Sequence, residues 1–244
     1  MGERIYVEVE INTDLDQVWQ ATQDPSAHQQ WDARFGEITY LPKDPEDAAA
    51  PQRFRYATRA LPGLTIDGVG ISAGERQRPD GTRTSALRFA SDHSLSLIRS
   101  GAGYWRYVPV HGGGVRFLTG YDYEPGWDRL GPYADKVFRP LFGWLTAWSF
   151  DRLRLWLERG ITPRRARRTA LADAGARVAA VFVAVLLTRD LPAALTLGAA
   201  AALAVAGVLL PPSPVTPAAR RCRRRPSEGR GAVAPATLAR LERP

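Results

Sequence analysis

Two apolar runs within residues 169–212, each bounded on its outer side by arginines, constrain this chain more than any other feature. Upstream stands Arg164-Arg165-Ala166-Arg167-Arg168, downstream Arg220-Arg221-Cys222-Arg223-Arg224-Arg225, and only Thr188-Arg189-Asp190 separates the runs. Arginines close to a membrane span are retained on the cytoplasmic side. The pattern therefore predicts a membrane hairpin over residues 170–210 with both ends cytoplasmic. Residues 191–210 carry no charge, and at 1.5 Å per residue they would make roughly 30 Å of helix, the depth of a hydrocarbon core. The first run is weaker. Residues 178–188 are charge-free, but reaching back to Ala170 takes in Asp173 and Arg177, which stand one helical turn apart and can pair. Gly198 and the four alanines after it would let two helices approach closely. The competing reading is a soluble helical hairpin packed on the rest of the chain.

The net charge of +8 is unevenly placed. Residues 1–158 hold 18 Lys+Arg against 21 Asp+Glu, whereas residues 159–244 hold 15 against 4. Nucleic-acid binding wants basic charge on a folded face with interleaved aromatics. Here it flanks apolar runs, which suits anionic headgroups and argues against a nucleic-acid partner. The single cysteine, Cys222, excludes an intrachain disulfide and fits a reducing compartment. The first residues, Met-Gly-Glu-Arg-Ile-Tyr, do not resemble a secretory leader, and Tyr6 stands where a myristoylation signal wants Ser or Thr.

Before the arginines, residues 4–11 alternate Ile5, Val7, Val9 and Ile11 with polar neighbours, the period of a half-buried strand. Asn12-Thr13-Asp14 and Asp24-Pro25-Ser26 open two short helices, the second ending near Trp31. Strands are expected over residues 37–41, 53–59, 65–71, 85–90, 104–110 and 115–124, with turns at Leu61-Pro62-Gly63, Pro79-Asp80-Gly81 and His111-Gly112-Gly113-Gly114. Strands this closely spaced pair antiparallel. A long helix follows over residues 128–158, with Val137, Leu141, Trp144, Trp148 and Leu155 near a 3.6 repeat and Phe138, Phe142 and Leu145 widening the stripe. Pro140 should kink it.

Gly70-Ile71-Ser72-Ala73-Gly74 has the spacing of a hydrolase nucleophile elbow. That chemistry needs a strand–turn–helix around the serine and an oxyanion loop earlier in the chain, and here the glycine-rich segment comes later. The histidines His28, His93 and His111 form no metal-type pair, so no metal or other cofactor is expected, and each is read as exposed or locally hydrogen bonded. Strand parity is more informative. Val115, Phe117, Thr119, Tyr121 and Tyr123 share one face, Phe54 and Tyr56 oppose arginines, and Phe89 joins them with either Trp105 and Tyr107 or Tyr104 and Arg106. Tyrosines gathered on one sheltered surface suggest a pocket for a ligand with a polar tip. A solid core of large side chains is the alternative.

The order of elements, with Val18-Trp19 in the first helix, Trp31-Asp32, Gly103-Tyr104-Trp105-Arg106-Tyr107 and Tyr121-Asp122-Tyr123-Glu124-Pro125, resembles the SRPBCC superfamily, which includes START-like and polyketide cyclase/dehydrase-like domains. The resemblance implies an α+β helix-grip domain over residues 1–158, with a hydrophobic cavity between sheet and long helix. It carries over no catalytic residue. A basic hinge (159–169), the hairpin (170–210) and a disordered tail (211–244) would follow. The expected lining is Trp31, Phe54, Tyr56, Phe89, Trp105, Tyr107, Phe117, Tyr121, Tyr123, Phe138, Leu141, Phe142 and Leu145. A lipid or other lipophilic small molecule is the expected partner, at a cell membrane with the domain and both termini cytoplasmic. A cyclase- or dehydratase-like enzyme, with Tyr56, Tyr121, Arg106, His93 or Asp67 carrying protons, and a ligandless adaptor are the other readings. Oligomeric state is left open.

Overall fold

The computed structural model describes residues 4–43, 50–61, 63–226, 233–241 and 244, so Pro62 of the expected turn lies outside it. Strand β1 (Ile5–Ile11) leads into helices α1 (Leu15–Gln23) and α2 (Pro25–Trp31). Six strands follow: β2 (Glu37–Tyr40), β3 (Gln52–Leu61), β4 (Leu64–Gln77), β5 (Arg83–Ala90), β6 (Ile98–Pro109) and β7 (Val115–Pro125). All pair antiparallel in one sheet of order β1-β7-β6-β5-β4-β3-β2. The long helix α3 (Gly131–Arg159) packs against β1 and β7, giving the α+β helix-grip layout. Asp24 accepts from the Ser26 N–H at 2.8 Å and Pro25 opens α2, so the second short helix starts where its capping chemistry places it. The elbow-like stretch from Gly70 runs inside β4, and His111 to Gly114 form the β6–β7 turn.

The core follows strand parity. Ile5, Val7, Val9 and Ile11 lie beside Val115 and Phe117 on one face and meet Val18, Trp31, Ala147, Phe150 and Leu153. Phe117 and Phe150 stack at 4.5 Å. The opposite face is less watery than expected, because Tyr6, Tyr104 and Leu118 are buried there beside Ala234. Ile71 and Ala86 are covered by Leu238, inside the short helix α6 (Ala236–Arg240), and by Leu241 just after it.

Three expectations are corrected. First, α3 begins at Gly131 because Trp127 and Asp128 hold positive φ (62° and 37°); Pro140 lies inside the helix. Its first half is also phased one residue away from the expected stripe, since Val137, Leu141 and Trp144 face outward while Phe138, Phe142 and Leu145 face the sheet side. Apolar residues on both sides of this helix left its phase ambiguous in the sequence.

Second, the basic segment 159–169 is no hinge. Gly160, left-handed at φ 63°, ends α3, and α4 (Pro163–Thr188) starts three residues later. Ala166 packs with Leu155 and Ile161, and Arg152 donates to the Pro163 carbonyl at 3.0 Å. The two apolar runs also exchange rank. The helix α4 is long and apolar enough to cross a membrane, whereas α5 (Ala193–Leu209) is shorter, stopped by Pro192 and Pro211. The two helices pack together, with Asp173 and Arg177 paired at 2.8 Å as expected and the Thr196 hydroxyl donating to the Thr188 carbonyl at 2.7 Å.

Third, the described part of the tail is fastened down. Residues 211–225 run back along α3 as a strap. The Asp151 carboxylate, fully buried, accepts from the Ala218 N–H at 2.8 Å, from Arg221 at 2.9 Å and from Arg154 at 2.7 Å. Cys222 is buried with its thiol on the Ala147 carbonyl, and burial pushes that thiol up. Glu8 and Arg223 exchange backbone hydrogen bonds at 2.9 Å, and Arg224 donates to the Pro140 carbonyl at 3.2 Å. Prolines cannot donate, and arginines satisfy the carbonyls that remain. Arg177 bonds those of Gly207 and Leu210, Arg220 those of Leu209 and Leu210, and Arg221 those of Pro212, Ser213 and Thr216. Proline content made this segment look disordered, but its arginines supply the donors that a proline-rich chain lacks.

Candidate ligand cavity

Between α1–α2, the β2–β7 part of the sheet and the first half of α3 lies a cavity of about 400 Å³, within the size range of small-molecule sites. Phe54, Tyr56, Phe89, Trp105, Tyr121, Phe138, Phe142 and Leu145 of the expected set line it. Cross-strand glycines explain how three of the rings lie. Phe54 sits opposite Gly70, Tyr56 opposite Gly68 and Phe89 opposite Gly101. A Cβ at Gly70 would stand 2.2 Å from Phe54 Cζ, so the glycine is what lets the ring lie across the neighbouring strand.

Five expected residues are placed elsewhere. Trp31 and Phe117 are completely buried in the core under α3, and Trp31 donates to the Ala21 carbonyl at 2.8 Å. Tyr107 is also fully buried, its hydroxyl held by Thr22 at 2.7 Å and Gln23 at 2.9 Å. Tyr123 turns its hydroxyl to Asp135 at 2.7 Å under the Arg139 guanidinium. Leu141, 58% exposed, is on the outer side of α3. Parity names the face of a strand but not which stretch of that face the helices cover. Trp105 rather than Tyr104 points inward, since the Tyr104 ring packs with Tyr6 and Leu118 on the far face under Arg106.

The polar end of the cavity was not foreseen. His28, read as exposed or locally hydrogen bonded, is buried and lines the cavity together with Arg34 and Phe35. Beneath them Asp32 is fully buried. Its Oδ1 accepts from Arg34 Nε at 2.9 Å and from the Arg34 backbone N–H at 3.1 Å. Its Oδ2 accepts from Arg34 Nη2 at 2.6 Å and lies 3.1 Å from His28 Nε2. The His28 ring sits among Trp31, Phe35 and Trp105 at centroid distances of 4.9–5.4 Å. The Arg34 guanidinium stands 5.6 Å from the Tyr121 ring centre, and the Tyr121 hydroxyl is 2.7 Å from that of Thr146.

Burial alone would raise the Asp32 carboxyl, but the Arg34 charge and the bonds from His28 and Arg34 hold it well below the usual carboxylate range. Burial lowers the His28 pKa, and Asp32 offsets this only in part. Arg34 is desolvated too, yet Asp32 keeps its pKa raised. Desolvation raises the Tyr56 and Tyr121 hydroxyls, so both remain neutral donors at ordinary pH. The sequence signal for this cluster is short: a helix ending at Trp31, then Asp32-Ala33-Arg34, with His28 four residues before the aspartate.

Of the other proton carriers considered, Asp67 is exposed, His93 accepts from the Leu95 N–H at 3.2 Å in a loop, and Arg106 is on the far face, donating to the Val233 carbonyl at 2.9 Å. Among the described residues no cluster could hold a metal ion. A larger, more open depression of about 720 Å³ lies between β1, the end of α3 and the strap. Its charged residues include Glu8, Arg154, Arg221 and Arg223, which pair among themselves and with Asp151.

No family model matches the chain. An uncharacterized membrane protein of Bacillus subtilis (strain 168), YndG, is 48% identical over 168 residues, which is 68% of this chain and 62% of that protein. The chain thus spans less than two thirds of that relative's length. Among solved structures, a START superfamily protein from Mycobacterium smegmatis is 17% identical over 58% of this chain and 91% of its own, with a TM-score of 0.39. The Zhui aromatase/cyclase from a Streptomyces species is 13% identical over 50% of this chain and 68% of its own, also at 0.39. A helix-grip layout, one helix able to cross a bilayer, and sequence similarity to a membrane protein are what this chain presents.

Proposed function

We propose that this is a membrane-held binding protein that takes a lipid or another lipophilic small molecule into the cavity. The observation that carries the reading is open space of about 400 Å³, lined mainly by aromatic and aliphatic side chains between the sheet and α3. Filling it with an apolar molecule removes surface from water at both partners, which favours binding by about 25 cal/mol per Å². In this reading α4 and α5 enter the bilayer as a hairpin. The arginines at 164–168 and 220–225 both lie at its open end, which supports a cytoplasmic domain with cytoplasmic termini. A receptacle fixed at the bilayer exchanges its ligand with the membrane without a passage through bulk water.

The test is native mass spectrometry of the full chain purified from membranes, followed by organic extraction. The expected result is a co-purifying lipophile released in roughly equimolar amount. A ligand-free protein that also takes up no member of a lipid panel would refute the reading.

One observation favours a second reading, a cyclase- or dehydratase-like enzyme: His28, oriented by Asp32, borders the same cavity as Arg34 and Tyr121. Conversion of the extracted ligand by fresh protein would support it, and unchanged ligand would oppose it. The open volume counts against a ligandless adaptor.

A further inference from the structure

Resting on that binding reading, we propose that the polar end of the cavity is an electrically neutral seat for an uncharged hydroxyl group on a lipophilic molecule, with Arg34 donating to its oxygen and His28 Nδ1 accepting its proton. The ligand class is a long-chain or polycyclic alcohol, and the seat disfavours a carboxylate.

Three observations carry this. First, Arg34 and Asp32 cancel: the bidentate contact at 2.9 and 2.6 Å makes a buried pair with no net charge, and among the described residues no Asp or Glu borders the cavity to pair with a further cation. Second, the guanidinium has five N–H groups, of which two are used on Asp32 and one meets the Tyr121 hydroxyl, so donors remain on a side chain that borders the cavity. Third, the ionised Asp32 can only accept, which assigns the His28 proton to Nε2 and leaves Nδ1 as a bare acceptor. No described group hydrogen bonds Nδ1, and the ring borders the cavity.

A hydroxyl satisfies both groups at once, because it accepts from Arg34 through its lone pairs and donates to Nδ1. A carboxylate would meet the Nδ1 lone pair with its own and would bring an uncompensated charge out of water. Protonating His28 to welcome it is opposed by burial. Arg59, the other cation on the lining, is exposed to solvent and offers a carboxylate only a screened contact.

Trp105 borders the cavity and can report occupancy. Full-length protein in nanodiscs is titrated with ω-bromododecanol, ω-bromododecanoate and bromododecane, and the bromine quenching of tryptophan emission that disappears in Trp105→Phe is taken as cavity binding. The expected order is alcohol at least about tenfold tighter than carboxylate, with bromododecane between or below. His28→Phe, which keeps an aromatic ring and leaves the Arg34–Asp32 pair intact, is expected to weaken the alcohol about tenfold and leave bromododecane unchanged. Equal or tighter binding of the carboxylate overturns the proposal while leaving the binding reading standing. Absence of cavity quenching by all three probes overturns both. If His28→Phe does not fold, the ranking of the three probes on the natural chain still decides.

Discussion

Replacing Asp32 with asparagine tests the electrostatic account of the cavity most directly. The carboxylate is fully buried and accepts three N–H groups of Arg34 besides its contact with His28. Asparagine keeps the shape but leaves the Arg34 charge uncompensated in an aromatic surround. Breaking a buried pair from one side costs about 3–5 kcal/mol. For a chain of this size each kcal/mol shifts the melting midpoint by about 2–4 °C, so Asp32→Asn should melt roughly 6–20 °C lower.

The double change Asp32→Asn with Arg34→Met should recover much of that loss, since it removes the stranded charge as well. The assay is thermal unfolding of detergent-solubilised protein followed by near-ultraviolet circular dichroism. A single variant that melts within about 2 °C of the natural protein, a loss of about 1 kcal/mol or less, would refute the reasoning. So would a double variant less stable than the single one.

The pH dependence has a definite sign. Asp32 is depressed in the folded protein, so its contribution is full above the ordinary carboxylate value of 3.8 and is lost as acid titrates the folded form below it. His28 is also depressed, so the unfolded chain takes up its proton first and stability falls as pH drops below 6.5; His28→Phe should flatten that part of a melting-point profile. Gly70→Val places side-chain atoms where the Phe54 ring lies, and it should cost about 1–3 kcal/mol in urea unfolding and lower lipid occupancy by mass spectrometry. Asp151→Asn weakens the anchor of the strap, and limited trypsin digestion should then cut within residues 220–225 markedly faster than in the natural chain. Deleting residues 170–210 should move the protein from the membrane pellet to the supernatant after cell lysis; a deleted form that stays in the pellet without aggregating would argue against the hairpin as the anchor.

Much of the fold was legible because it follows local periodicity. Alternation in residues 5–11 and 115–123 gave the two strands that carry the core, and the short spacing between turns gave the antiparallel sheet. Parity also put Phe54, Tyr56, Phe89, Trp105 and Tyr121 on the correct face. It could not divide that face between cavity and core, because the division depends on where α1, α2 and the second half of α3 lie over it. Tyr107 and Phe117 fell on the covered side for that reason. The phase of α3 was missed where its two sides are equally apolar, as at Val137 and Phe138. His28 is locally hydrogen bonded, to Asp32 one turn on, but its burial comes from Trp31, Phe35 and Trp105 around the ring, which local sequence does not specify. The strap was hidden for a related reason, since its order comes from arginine-to-carbonyl bonds that span several elements.

Both stems of the α4–α5 pair are stitched to α3. Ala166 of one stem sits on Leu155, and the returning segment of the other is bound at Asp151 and Pro140. The same helix presents Phe138, Phe142 and Leu145 to the cavity. One helix thus serves both as a wall of the cavity and as the seat of both stems, so a substitution that displaces α3 would disturb the two together.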